Sequence, residues 1–296
     1  MMSEAIALAR PPLIAGTLAT LTIKYAALPL LEPFTAAIEA VIPHSLLPFY
    51  NPRRDQTPTL MSLAGLLGFV LMALCICSPL DALSKYTHTL KTQGHKSFFT
   101  LSEYCQALGI AFSNFFIFSW FVSIPAWQLH KRGGLRSGTP LASWDEELHL
   151  GWAALHFIVH VLIIDVWFYL THRALHWRSL YGPIHKFHHR FKAPTAVACV
   201  YAHPVEYCIG NAAGVILGPT LTNCHPLSAG LWMAFSLIST AMSHSGYAFL
   251  GAENHDLHHE HFDYNFGVGV FMDKLLGTGF EGSEREAAIL KKAKRA

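Results

Sequence analysis

From Tyr207 to Ser243 the chain runs for 37 residues without an Asp, Glu, Lys or Arg. One straight helix of that length would measure roughly 55 Å, well beyond the ~30 Å hydrocarbon thickness of a bilayer. The stretch has to fold back on itself, and Gly218-Pro219 and His225-Pro226 offer places to break it. The sequence therefore predicts a helical hairpin that enters and leaves an apolar layer on one face. Whatever precedes Tyr207 then meets whatever follows Ser243 on the same side.

The rest of the chain reads in the same way. Residues 60–77 carry no charge between Pro58 and Pro79 and predict a spanning helix. Residues 106–127, with Trp120 and Trp127 placed as interfacial anchors, predict a second, and 148–164, ending at Asp165, a third. Residues 11–31 are apolar except for Lys24 and read as a marginal span or an interfacial helix. Prolines at 33, 43, 48, 52 and 58 make 33–58 a broken connector. Met1 to Arg10 has no basic stretch ahead of an apolar one, so no cleaved signal peptide is expected. Charged residues are 14% of the chain, against about 25% in soluble domains. A net charge of +2 gives no footprint for nucleic acid, and six cysteines without paired spacing give none for a disulfide scaffold.

Histidines flank the hairpin. Ahead of it stand Asp165-x3-Tyr169-x2-His172-x3-His176 and His185-Lys-Phe-His188-His189; behind it come His244-Ser-Gly-Tyr247 and His255-Asp-Leu-His258-His259. Nine of the 19 histidines belong to these groups. On a helix, Asp165, Tyr169, His172 and His176 fall on one stripe. Each His-x-x-His-His triplet covers an arc of about 100° and is expected to aim its three imidazoles at one point.

Imidazole is mostly neutral at pH 7 and ligates iron, zinc and copper. Nine such donors exceed the needs of one ion, so the pattern implies two metals, held by His172, His176, His185, His188, His189, His244, His255, His258 and His259. Soluble two-iron bundles use paired Glu-x-x-His motifs, and only Glu146-Glu-Leu-His149 matches here. No His-Glu-x-x-His occurs, and structural zinc sites use four ligands rich in cysteine. Asp165 is expected to hydrogen-bond a ligand imidazole. His156 and His160 are expected to bond between helices, and His44, His88, His95 and His130 to lie in loops. His203 and His225, each followed by proline, join Asp165, Tyr169, Tyr247 and Asn265 as candidates beside the metals or along a substrate channel. No separate acid or base is assigned; the catalytic role falls to the two-metal centre itself.

These motifs resemble the fatty acid hydroxylase/sterol desaturase superfamily over about Trp144 to Thr278. Asp165 through His176 is similar to its first histidine box, His185 through His189 to its second, and His255 through His259 to its third. Phe191-Lys-Ala-Pro-Thr195 and Tyr201-Ala-His203-Pro-x-Glu206 are similar to the sterol C4-methyl oxidase branch. Cys224-His225-Pro-Leu and His244-Ser-Gly-Tyr247 occur in similar form there and in cholesterol 25-hydroxylases. Asn265-Phe and Asp273-Lys-Leu-Leu-Gly277-Thr278 resemble the trailing signature. The link from Tyr247 to His255 is shorter than in those sterol oxidases, and Phe271-Met272-Asp273 replaces a Trp-Asp.

The resemblance implies two irons (with zinc as a possible substitute), molecular oxygen as co-substrate, and electrons from NAD(P)H through cytochrome b5 or its reductase. It further implies hydroxylation of an unactivated C–H of a sterol-like lipid. The same chemistry on a terpenoid or polyketide, a fatty acyl chain or a sphingoid base, and desaturation, stay open. So does a metal-binding membrane protein without redox chemistry.

The expected fold is all-α: a multi-span membrane helical bundle with a cytosolic histidine-rich cap holding a two-metal site. It is organised as one domain over 1–296, with membrane helices and connectors over 1–143, a catalytic region over 144–280 and a basic tail over 281–296. Five and six Lys/Arg in 171–206 and 274–296 favour the cytosol for the histidines, while Lys131, Arg132 and Arg136 in the loop 128–149 pull the other way. The tail Lys292-Ala-Lys294-Arg-Ala296 resembles a dilysine signal for the endoplasmic reticulum, and equally a solvated basic end.

Overall fold

A computed structural model describes residues 2–42, 44–46, 50–53, 55–84, 91–93, 100–132, 147–269 and 271–293. Arg136, Glu146, His88, His95 and the tail lysine Lys294 lie outside them. Among the described residues there is no strand, only an isolated antiparallel bridge between Lys91 and Tyr247.

Among the described residues, four helices are long and apolar enough to cross a membrane: α1 (Arg10–Val41), α2 (Gln56–Leu83), α3 (Leu101–Lys131) and α4 (Leu150–Leu175). All exceed the ~20 residues that a bilayer requires. Polar side chains inside them turn inward on their own backbone. Thr22, Thr35 and Ser113 donate their hydroxyls to the carbonyls of Leu18, Leu31 and Gly109, four residues back, which lets a hydroxyl sit in an apolar helix.

The first helix corrects the expected boundary. Pro33 lies within the helical span, which continues to Val41, so the broken connector starts only at Ile42. Ile23–Ala27 forms a π turn just ahead of Leu28-Pro29, and the wider turn adjusts the ladder where prolines remove donors. Similar π turns occur at Val70–Cys77 and Asn114–Phe118.

The hairpin is present, with a break different from one of the two expected. Its first arm runs as Pro204–Glu206, Tyr207–Ala212 and α5 (Ala213–Thr222), with Gly218-Pro219 inside α5. The turn falls at Asn223, whose φ of 49° takes the left-handed conformation, and α6 (Pro226–Ser243) returns. Trp232 ties the arms by donating its indole N–H to Val215 O at 2.8 Å.

Close packing sets α2 along α6. A Cβ built on Gly68 would lie 3.0 Å from Ala234 O, so glycine is what lets these backbones approach. α4 packs on α5, where His160 Nε2 meets Thr222 Oγ1 at 2.9 Å, the bond between helices expected of it. His130 is not a loop residue: it ends α3, buried and stacked on Trp127 at 4.8 Å.

Beyond α6, α7 (Glu253–His261) carries the last histidine triplet, and a loop from Phe262 to Phe280 folds back over it. The amphipathic α8 (Glu284–Ala293) ends the described chain.

Candidate metal centre

All nine histidines meet at the end of α4 next to the root of the hairpin, in two adjacent groups. His172, His176, His185, His189 and His258 form one; His188, His244, His255 and His259 form the other. Within each group the potential donor atoms lie within 4.8 Å of one another. Rings of the two groups approach closely, with His189 and His259 centroids 4.6 Å apart.

The elements explain the delivery. α4 extends past its apolar part so that His172 lies in its last turn and His176 caps it. His244 caps α6. His185–Arg190 is a 3₁₀ helix rather than an α-helical face. Three residues per turn stack His185 above His188, about 6 Å apart along the axis at 2.0 Å per residue.

This overturns the expectation that each triplet serves one point. His185 and His189 join the first group and His188 the second. Likewise His258 joins the first, His255 and His259 the second.

Hydrogen bonds fix the ring orientations. His172 Nδ1–H donates to Phe266 O at 2.7 Å and His258 Nδ1–H to Tyr264 O at 2.7 Å. In the other group His188 Nδ1–H donates to Tyr201 O at 3.1 Å and His244 Nδ1–H to Thr240 O at 2.8 Å. A carbonyl only accepts, so these imidazoles carry their proton on Nδ1 and present a bare Nε2 lone pair inward. The inward atoms crowd together. His185 Nε2 lies 3.1 Å from His172 Nε2 and His176 Nε2, and His255 Nε2 lies 2.8 Å from His244 Nε2. Lone pairs converging at such distances repel unless a cation sits among them, so the donor set fits a metal ion in each group.

Burial holds the rings neutral. Desolvation, with neighbouring imidazoles in some cases, lowers His176 and His188 to about 4, and His244 and His258 to about 3. Desolvation pushes His185, His189, His255 and His259 down as well. All are ready to ligate at pH 7.

The neighbours named from the sequence fall into three sets. Asp165, Tyr169 and Asn265 strap the Phe262–Phe280 loop. Asp165 Oδ2 accepts the amides of Phe271 and Met272 at 3.0 and 2.9 Å. Tyr169 OH meets Thr278 Oγ1 at 3.1 Å, and Asn265 Oδ1 accepts the amide of Phe280 at 2.9 Å. Asp273, which heads the trailing signature, accepts from the amides of Phe266 and Gly267 at 2.8 and 2.7 Å. The strap thereby places the two carbonyls, of Tyr264 and Phe266, that orient His258 and His172.

His203 and His225 lie outside both groups. Each is a helix N-cap, its Nδ1 accepting an amide two residues on at 3.2 Å, with the following proline at the first helical position. Tyr247 also sits apart, its hydroxyl donating to Asp81 Oδ1 at 2.9 Å.

Glu206 enters the sequence analysis only within the Tyr201–Glu206 motif, with no role of its own. Glu206, 4% exposed, brings Oε1 within 2.9 Å of His185 Nδ1. It lines a small cleft with Phe168, Thr171, Leu175, Cys199, Gly210, Asn211, Thr240 and four histidines of the two groups. The available signal was its place: the last charge before 37 uncharged residues.

A helical membrane protein with a paired polyhistidine centre is the class that this fold and site define. A family model described as fatty acid hydroxylase matches residues 157–278. Over 130 residues the chain is 42% identical to human fatty acid hydroxylase domain-containing protein 2, covering 43% of this chain and 39% of that protein. It is 36% identical over 163 residues to a methylsterol monooxygenase of Aspergillus fumigatus, covering 48% and 55% respectively. With methylsterol monooxygenase 2-2 of Arabidopsis thaliana it shares 30% identity over 191 residues, 58% of this chain and 69% of that one. No solved structure matches. The chain belongs to the fatty acid hydroxylase family.

Proposed function

We propose that this protein is a membrane-bound two-iron monooxygenase that hydroxylates an unactivated C–H of a sterol-like lipid. The observation that carries the proposal is the inward convergence of nine imidazole nitrogens in two adjacent groups beside a partly open, mostly apolar cleft. The methylsterol monooxygenase relatives support the choice of substrate class. His172, His176, His185, His189 and His258 would hold one iron, and His188, His244, His255 and His259 the other. Once bound, the irons would supply dioxygen activation with electrons from NAD(P)H through cytochrome b5 or its reductase.

The chain's own part is to bind, orient and exclude water. Phe168, Leu175 and Cys199 give the cleft an apolar wall that suits a lipid-soluble substrate and keeps bulk water from the reacting carbon. Thr171, Thr240 and Asn211 offer the few polar groups that could fix its register. Lipid enters from the bilayer that α1–α4 span, and the histidines face the cytosol of the endoplasmic reticulum, where a soluble donor can reach them.

The test is elemental analysis of the purified protein, followed by oxygen uptake with reductant and mass spectrometry of lipids from cells with and without the gene. Two irons per chain and a lipid gaining one oxygen atom are expected. Tightly held metal with no oxygen uptake by the iron-loaded protein would overturn the redox reading.

A further inference from the structure

Glu206 stands out once the nine histidines are accounted for. It is the one charged side chain lining the cleft, and it is buried. Its Oε1 lies 2.9 Å from His185 Nδ1, approaching out of line for a hydrogen bond, while Oε2 has no hydrogen-bond partner among the described residues. No Lys or Arg borders the cleft to explain a carboxylate there. Burying such a group unpaired is costly, so a structure that keeps it must use it against a charge.

The histidines identify that charge. Nine neutral imidazoles bring no negative charge to two divalent ions. His185 presents Nε2 to His172, His176 and His189 at 3.0–3.1 Å, so its opposite edge, Nδ1, is the one Glu206 meets. His172 and His258 have backbone carbonyls at that edge. At His185 a full carboxylate takes the carbonyl's place. A carboxylate behind a ligating imidazole holds the ring's tautomer and raises its basicity, an effect worth roughly 10- to 100-fold in metal affinity.

Resting on the two-metal reading above, we infer that Glu206 is the positioning and charge-balancing residue of the five-histidine centre, acting through His185. In the four-histidine centre His188 and His244 turn the same edge to backbone carbonyls, of Tyr201 and Thr240. The prediction is therefore selective.

The experiment compares wild type, Glu206→Gln and Glu206→Leu, each purified in detergent, stripped of metal and titrated with Fe(II) or Zn(II) against a chelator. Melting temperatures of the stripped forms are measured in parallel. Wild type binds two ions. Glu206→Leu is expected to weaken one of them by roughly 10- to 100-fold and leave the other unchanged, while Glu206→Gln, which keeps an acceptor, falls between. The stripped Glu206→Leu protein should melt no lower than wild type, because the variant removes an unpaired buried carboxylate.

A space-filling role gives the opposite pattern: a lower melting temperature and similar behaviour of Gln and Leu. That pattern, or two ions held by Glu206→Leu as tightly as by wild type, overturns the inference alone. Failure of wild type to bind any metal overturns the two-metal reading beneath it.

Discussion

The two histidine groups are built from the same side chain but anchored differently. The five-histidine group draws His172 and His176 from α4 and orients His172 and His258 through carbonyls of the strapped loop, at Phe266 and Tyr264. The four-histidine group leans on Tyr201 O and Thr240 O, carried by the 196–202 segment and the hairpin. One centre is thus held by a loop that carboxylates tie down, the other by packed helices and their short connection. Similar donor sets can therefore differ in how easily they are disturbed.

The largest expected effect comes from removing a donor. His258→Ala and His188→Ala should each reduce product below detection and lower the iron-to-protein ratio, read by elemental analysis on protein that still inserts into membranes. Wild-type turnover in His188→Ala would break the pairing of the two groups.

The strap comes next. Asp165→Ala leaves two buried amides without their acceptor, a cost of about 1–3 kcal/mol for each group. Gly267→Ala puts a Cβ 2.8 Å from Asp273 Oδ2 and 3.3 Å from Asp165 Oδ1. Both variants should lose metal from the five-histidine centre first under chelator challenge. Equal loss from both centres would erase the distinction between loop-held and helix-held sites.

Acid should not discriminate between them. Folded-state values for His176 and His188 near 4 lie below the unfolded value of 6.5, so the unfolded chain binds more protons. The metal-stripped protein is then expected to lose stability as pH falls from about 6.5 toward 4, in one transition seen by thermal melts. Above pH 6.5 the curve should be flat from this source.

The smallest effect belongs to His203→Ala. Losing a helix cap costs of order 1 kcal/mol. The melting temperature should drop slightly while bound metal stays at the wild-type level; metal loss would mean that His203 is more than a cap.

Sequence spacing carried much of this. The uncharged run from Tyr207 to Ser243 required a return, and the histidines flanking it consequently share a side. What spacing could not show depends on the exact turn of the backbone. Spacing alone sends the three rings of a triplet one way, yet both triplets divide between the two groups, the 3₁₀ one at His188 and the α-helical one at His258. Pro33 reads as a breaker, yet the helix passes through it after a π turn. His203 and His225 read as candidates beside the metals or along a substrate channel, and spacing did not show that each would cap a helix through an amide accepted at Nδ1. Asp165 reads as a partner for a ligand imidazole, and spacing gave no hint that it also accepts amides 106 and 107 residues on.

The hairpin also sets an order of manufacture. His188 meets His244 across 56 residues of chain, so translation exposes the early imidazoles long before their partners exist. Both arms of the hairpin must be made before the late ones emerge beside them. A nascent chain stalled in between presents four of the five imidazoles of one group and only His188 of the other, a form that a cell's surveillance machinery could distinguish from the finished protein.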